Sequence, residues 1–190
     1  MVTIHSSHTA STEVKRSKFI AYLIPISSFK GMQEELKLQN PKANHVVYAL
    51  RYLNEYDQIV ENSSDDGEPK GCAGTPILNV MRGGDIINVA ILVVRYFGGI
   101  KLGTGGMVRA YAQSAKCVIE ESPLEPYEKM VEYEFETSYS SVQKMEYLLA
   151  QIGVESISKE FGVSSVSWQI STTQQKLERL IDRADRGVMI

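Results

Sequence analysis

A segment that combines glycines with cationic side chains, "RYFGGIKLGTGG" at residues 95–106, follows an apolar run in the middle of the chain. Glycine lets the main chain approach a bound anion closely, and the free amides at the start of a helix attract negative charge. A glycine-rich loop between a strand and a helix is therefore typical of phosphate binding. The cations beside this loop are Arg95 and Lys101. The glycines that would approach the anion are Gly98, Gly99, Gly103, Gly105 and Gly106.

Two well-known phosphate loops do not fit this segment. A Walker loop ends in Gly-Lys-Ser/Thr, whereas Lys101 precedes the last glycines. The dinucleotide-binding fingerprint requires a third glycine where Val108 stands. The alternative to ligand binding is that the glycines only form a tight turn and let a helix pack closely on a strand.

The helix predicted after the loop has a cationic face. Arg109, Gln113 and Lys116 recur at helical spacing on one side. The opposite side is formed by Met107, Ala110, Tyr111, Ser114 and Val118. Together with Arg95 and Lys101, these cations predict a surface that contacts phosphates of a nucleic acid. An ordinary solvated helix face is the alternative.

A second cluster, "ENSSDDGEP", places Asp65, Asp66 and Glu68 in one loop. Three carboxylates this close together could hold a magnesium ion or act as acid and base. The spacing does not match a calcium loop. Aspartate and serine side chains also bond nearby amides, and Asp66-Gly67 is a typical turn pair, so a role in capping and shaping a turn is the favoured interpretation.

The sequence contains no recognisable nucleophile motif. The serines of the acidic loop lack a G-x-S-x-G elbow, and Cys72 and Cys117 are expected to be reduced thiols. His45 begins a predicted strand, whereas His5 and His8 lie near an N-terminus that is expected to fray. We therefore expect no catalytic residue, no metal site and no cofactor.

The composition is that of a globular protein. The chain has 190 residues, of which 43% are hydrophobic, and its longest apolar stretch, "VAILVV", is the length of a strand rather than of a membrane span. The N-terminus lacks a basic start followed by an apolar block, which favours a cytoplasmic location. Because the formal net charge is -3, any anion-binding surface must be a local cluster.

The first part, residues 1–125, alternates strand and helix patterns. "KFIAYLIPI" and "HVVYALRYL" predict strands around a helix from Phe29 to Asn40, and "YDQIVENSS" predicts a shorter strand. Thr75 before Pro76 predicts the cap and first position of another helix. "NVAILVVRYF" shows no alternation, so a central strand buried on both faces is expected.

The linker "ESPLEPYE", with two prolines, leads to the second part, residues 126–190. "VEYEFET" alternates like a half-buried strand and exposes Glu132, Glu134 and Glu136. Helical patterns in "SSVQKMEYLLAQIG" and "TTQQKLERLIDRADRG" flank strand patterns in "VESISKEF" and "VSWQIS". This order is most of a ferredoxin-like α+β unit, for which only "VMI" remains as a last strand.

Three blocks in order, "SSDDGEP", "GTP" and "RYFGGIKLGTGG", strongly resemble the IMPACT family in its two-domain bacterial branch. "KRSKF" and "NHVVYALR" also look like earlier blocks of that family. The resemblance covers the whole chain and is densest from His45 to Ala115. Residues that match the family pattern include Arg51 as well as the acidic loop, the glycine loop, Arg95, Lys101 and Arg109.

The resemblance implies an α+β fold with two domains. The first would be similar to a domain of a small-subunit ribosomal protein and to the ribosome-inserting domain of elongation factor G, and the second to that factor's last, ferredoxin-like domain. Eukaryotic relatives, which carry an additional domain, regulate translation in the amino-acid starvation response. For the bacterial branch, the resemblance implies RNA or ribosome association without established catalysis.

We therefore expect a translation-associated protein that binds RNA or the ribosome through the glycine loop and its cations. Two alternatives remain open at this point. One is an enzyme that binds a phosphate compound at the glycine loop and magnesium at Asp65 or Asp66. The other is an adaptor whose acidic strand face, Glu132, Glu134 and Glu136, binds a basic protein.

Overall fold

The computed structural model describes residues 1–185. The chain divides into two compact units, Met1–Tyr127 and Glu128–Ile190, and each has its own apolar core. The architecture is mixed α/β. Among the described helices, none is both long and apolar enough to cross a membrane.

The first unit is built on a five-stranded antiparallel sheet. The strands of this unit are β1 (Val2–Thr3), β2 (His8–Val14), β3 (Ser17–Pro25), β4 (His45–Leu53), β5 (Ile59–Ser64), β6 (Val89–Tyr96) and β7 (Glu125–Pro126). The helices are α1 (Phe29–Gln39), α2 (Gly74–Gly83) and α3 (Thr104–Glu120). The order of strands in the sheet is β2-β3-β6-β4-β5. Helices α2 and α3 pack on one face of this sheet, and α1 packs on the other.

Strand β6 lies at the centre of the sheet and is buried on both faces, as its uninterrupted apolar sequence predicts. One set of alternate side chains, including Ile91 and Val93, packs under α2 and α3. The other set, including Leu92 and Val94, packs under α1. Because β6 leads directly into the glycine loop, its burial fixes the point from which that loop starts.

The N-terminal residues are ordered, contrary to the expectation that they fray. Val2 and Thr3 pair with β7, and Ile4 is buried in the core of the first unit. His8 begins β2, which pairs with β3 along its whole length. The frayed-terminus prediction was wrong because β2 has only two apolar residues, and its pairing partner, not its own sequence, holds it in place.

The second unit has a three-stranded antiparallel sheet with the order β8-β10-β9. Its elements are β8 (Met130–Thr137), α4 (Val142–Ile152), β9 (Ser156–Phe161), β10 (Val166–Thr173) and α5 (Gln174–Asp185). Trp168 is buried, stacks on Phe135 and donates its ring N–H to Thr137 Oγ1 at 2.9 Å. The last strand suggested by "VMI", residues 188–190, lies outside the described residues.

Candidate nucleic-acid interface

Asp65 caps helix α2 through three backbone hydrogen bonds. Its Oδ1 accepts from the amides of Ala73 and Gly74 at 3.0 and 2.8 Å, and its Oδ2 accepts from the amide of Gly71 at 2.8 Å. Burial by itself would raise the pKa of this carboxyl, but the three amides lower the pKa below its usual value. The helix starts at Gly74, so the predicted cap, Thr75, lies within the first turn instead.

Asp66 joins the acidic loop to β4 and α1. One carboxylate oxygen accepts the amide of Val46 at 2.7 Å, and the other pairs with Lys37 at 3.1 Å. The carbonyl of Asp66 accepts a hydrogen bond from His45 Nδ1 at 2.7 Å. Because a carbonyl only accepts, Nδ1 is the donor in this contact.

Glu68 is the centre of a buried polar cluster. Its side chain is only 4% exposed, forms an ion pair with Arg95 and accepts a hydrogen bond from the Tyr111 hydroxyl at 2.7 Å. His45 Nε2 lies 3.7 Å from the other Glu68 oxygen. Burial and the neighbouring Glu68 raise the pKa of Tyr111. The three carboxylates thus have separate partners within the protein.

Arg95 does not reach the surface that the sequence suggested for it. Its side chain is 7% exposed and lies between the rings of Phe19 and Phe97, with its carbon Cζ 5.5 and 5.9 Å from their centres. Nη1 binds Glu68 and contacts the sulfur of Met107, but Nε has no hydrogen-bond partner among the described residues. The prediction that Arg95 contacts phosphates at the surface is therefore wrong. Arg95 pairs instead with Glu68, which lies 27 positions earlier in the chain.

The first half of the glycine loop has a packing role. A Cβ atom on Gly98 would overlap the carbonyl group of Arg16, which no side chain could tolerate. The amide of Gly98 donates to Ser17 Oγ at 3.2 Å, and the amide of Phe97 donates to Asn44 Oδ1 at 3.0 Å. These donors are occupied by the protein itself, so this half matches the tight-turn alternative.

The second half of the loop leaves donors available. Gly103 precedes α3 with φ +71° and provides no side-chain cap. The first amides of a helix have no partner within it, and here they carry the positive end of a 17-residue helix. Gly105 and Gly106 lie in this first turn, and a Cβ on Gly105 would lie 3.6 Å from Arg109 Nη1. The Arg109 guanidinium therefore sits beside the helix start.

A cavity of about 360 Å³, which we call the loop cavity, opens at the start of α3. Its lining combines main chain from Gly103 and Thr104 with polar groups of the buried cluster and with apolar side chains. The charged or titratable lining residues are His45, Glu68, Arg95 and Lys101. Phe97, which is 47% exposed, lies at the same cavity.

A turn that the sequence patterns did not single out supplies further cations. Val14 pairs with Ser17, so Lys15 and Arg16 form a two-residue turn between β2 and β3. Both residues are exposed and have positive φ, +47° and +66°. Such turns normally contain asparagine and glycine, because other side chains are strained there. The only local signal was the run of charge in "KRSK".

A groove of about 450 Å³, which we call the hairpin groove, lies between this turn and α3. It contains the cations Lys15, Arg109 and Lys116, and none of its lining residues is a carboxylate. Gln113 and Gly106 also line it, so Arg109, Gln113 and Lys116 lie on the same side of α3. The opposite face of α3 is buried as predicted.

The chain is similar to known proteins of one family. The family model described as the Impact N-terminal domain matches residues 15–119. An IMPACT family member of Haemophilus influenzae is 32% identical over 152 residues, which cover 78% of this chain and 74% of that protein. The IMPACT family member YigZ of Escherichia coli is 31% identical over 158 residues, which cover 80% of this chain and 76% of YigZ.

A solved structure also resembles this one over nearly its whole length. The crystal structure of a hypothetical protein superimposes with a TM-score of 0.66 and 27% sequence identity, and the match covers 98% of this chain and 92% of that chain. The matched family segment contains the hairpin turn, the acidic loop, the glycine loop and all of α3 except its last residue. The chain is therefore a member of the IMPACT family, of the bacterial type that YigZ represents.

Proposed function

We propose that this protein takes part in regulating translation by binding RNA, either free or within the ribosome, through the hairpin groove and the adjoining start of α3. One observation carries the proposal: three cations from two distant segments, Lys15 on the turn and Arg109 and Lys116 on α3, line one groove without a carboxylate among them. In a chain of net charge -3, such a local cluster is the electrostatic footprint expected of a phosphate-binding surface.

The backbone strain at the hairpin turn supports the same surface. Lys15 and Arg16 occupy the left-handed region, which costs an L-residue roughly 1–2 kcal/mol relative to a right-handed conformation. Asparagine and glycine would form this turn at a lower cost. Strain of this kind is commonly retained at functional sites, and here it is retained in a turn of two cations, of which Lys15 lines the groove.

Family membership supports a role in translation. The resemblance that the sequence carries implies association with RNA or the ribosome for the bacterial branch. At the level of domains, we propose that the second unit is ferredoxin-like, because β10 lies between β8 and β9 and helices follow β8 and β10. We also propose that the first unit is similar to a ribosomal-protein domain and to a domain of elongation factor G.

Ribosome co-sedimentation tests the proposal most simply. The double variant R109A/K116A should lose most of its retention in the ribosome pellet, because two phosphate contacts are removed. The matched control is K30A/K42A, which removes the same charge from two exposed positions, Lys30 on α1 and Lys42 in the turn that follows α1. Equal retention of both variants, each shown to be folded by circular dichroism, would exclude the groove as the binding surface.

The adaptor alternative has one observation in its favour. Glu132, Glu134 and Glu136 are all exposed on β8, as the alternation predicts, and their neighbours on the strand point into the core. A basic protein partner bound there would survive nuclease treatment in a pull-down, whereas an RNA-mediated partner would be released. The charge-reversal variant E132K/E134K should lose a basic protein partner bound directly to this strand, but it should keep a partner bound through RNA.

The enzyme alternative is less well supported by the acidic loop. Both oxygens of Asp65 accept backbone amides, and both oxygens of Asp66 are also engaged. These hydrogen bonds leave each carboxylate with fewer free lone pairs for a magnesium ion. Thermal shift with nucleotides, with and without magnesium, tests this alternative, because a ligand of the folded state raises the apparent stability.

A further inference from the structure

The loop cavity has features that neither the hairpin groove nor the packing of the fold explains. It is separate from the groove except for Leu102, which lines both. The cavity is lined by Arg95, a residue that is 6% exposed, whose Nε has no hydrogen-bond partner among the described residues. A buried donor without a partner is costly, and no group among the described residues offsets that cost.

The charges at the cavity favour an anion. The carboxylate of Glu68 is balanced by Arg95 and by the hydroxyl of Tyr111. Lys101 and the amides at the start of α3 then leave the mouth of the cavity positive. His45 is a further polar residue of the lining.

The apolar part of the cavity favours a ring attached to that anion. Phe97 is 47% exposed although it follows directly after the buried strand β6, and the centre of its ring lies 5.9 Å from Cζ of Arg95. Exposed aromatic rings beside cations commonly stack on unpaired nucleobases. The volume of about 360 Å³ is at the small end of ligand sites, which admits one nucleotide but no duplex.

We propose that the loop cavity binds a single unpaired nucleotide, with its phosphate at the start of α3 near Lys101 and its base stacked on Phe97. The inference rests on the proposed function in so far as the nucleotide belongs to an RNA strand. It goes further because it predicts that the protein prefers single-stranded RNA to duplex RNA. A free mononucleotide presents the same phosphate and base, so it is the second ligand that the cavity would accept.

The test is a set of titrations of the full chain by fluorescence anisotropy and isothermal calorimetry. The probes are a single-stranded octa-adenylate with and without a 5′-phosphate, an RNA duplex, AMP and adenosine. The variants are F97L, which keeps an apolar side chain but removes the ring, and K101A, with K30A/K42A as the surface control. Thermal melting shows that each variant is folded.

We expect F97L to weaken binding of the single strand by roughly tenfold, the effect of removing one base-stacking interaction. K101A should weaken it less, and duplex binding should be unchanged in both variants. A preference for the 5′-phosphorylated strand would place a strand end in the cavity, and equal affinity would place an internal nucleotide there. Single-strand binding that is insensitive to both variants, yet abolished in R109A/K116A, would overturn this inference and leave the proposed function standing.

If the wild-type protein binds no RNA, the proposed function fails. The titration with AMP then tests, independently of RNA, whether the loop cavity binds a nucleotide. Binding of AMP but not of adenosine, abolished in F97L, would support the cavity as a mononucleotide site. The absence of AMP binding, together with the absence of RNA binding, would overturn it.

Discussion

Replacing Lys15 by asparagine and Arg16 by glycine should stabilise the fold and weaken RNA binding at the same time. Both residues have positive φ, which costs a lysine or arginine roughly 1–2 kcal/mol each and costs the replacements less. Allowing for the part of the cost that asparagine retains, we expect a gain of about 1–2 kcal/mol in the free energy of unfolding. Thermal melting should show this as a rise of roughly 4 °C per kcal/mol.

The expected loss of RNA binding in K15N/R16G is calculated separately from the gain in stability. Removing one phosphate-neutralising cation from a single-stranded complex reduces the slope of log K against log salt by about 0.7, so removing two should reduce it by about 1.4. At physiological salt this corresponds to roughly tenfold weaker binding. The assay is fluorescence anisotropy with a single-stranded RNA across a salt series.

The control for this experiment is K15A/R16A, which removes the same charges but keeps side chains with Cβ atoms in the left-handed region. It should bind RNA as weakly as K15N/R16G without becoming more stable. If K15N/R16G is more stable but binds RNA with the wild-type affinity and salt slope, then the turn is strained for a reason other than RNA binding, and the role of these two charges is refuted.

Three other substitutions test the scaffold around the interface. D65A removes the cap of α2 and should cost about 1–2 kcal/mol, measured by urea unfolding. The pKa of Asp65 is lower in the folded protein than its ordinary value, so the ionised carboxylate contributes its full stabilisation above about pH 4. This stabilisation disappears as the pH falls through the folded-state pKa. The difference in stability between D65A and wild type should therefore shrink in acid. E68A leaves Arg95 buried and unpaired, so it should cost about 3–5 kcal/mol, whereas a cost below about 1 kcal/mol would show that the pair is solvated. G98A should cost about 3 kcal/mol or more, since its Cβ would meet the backbone of Arg16, and near-normal stability would contradict that packing.

Local sequence patterns predict the elements with strong periodicity. The apolar run that became β6, the strand at His45–Leu53 and the α3 face of Arg109 and Lys116 all follow from the spacing of side chains. These features depend on neighbours along the chain, which is the information that a sequence pattern contains.

Features that depend on distant partners were not predictable in this way. The cap of α2 is Asp65, nine positions before the capped amide of Gly74, whereas local rules point to Thr75. The burial of Arg95 depends on Glu68 and on the rings that cover it, so its charge alone suggested a surface role. The turn at Lys15 and Arg16 lacks the asparagine and glycine that normally announce positive φ.

The most direct test of the central claim is the salt dependence of single-stranded RNA binding by the wild-type protein and by R109A/K116A. We predict that the wild-type affinity falls steeply with salt and that the slope of log K against log salt is smaller by about 1.4 in the double variant. Wild-type affinity and slope in the double variant would contradict the claim that the hairpin groove binds phosphates.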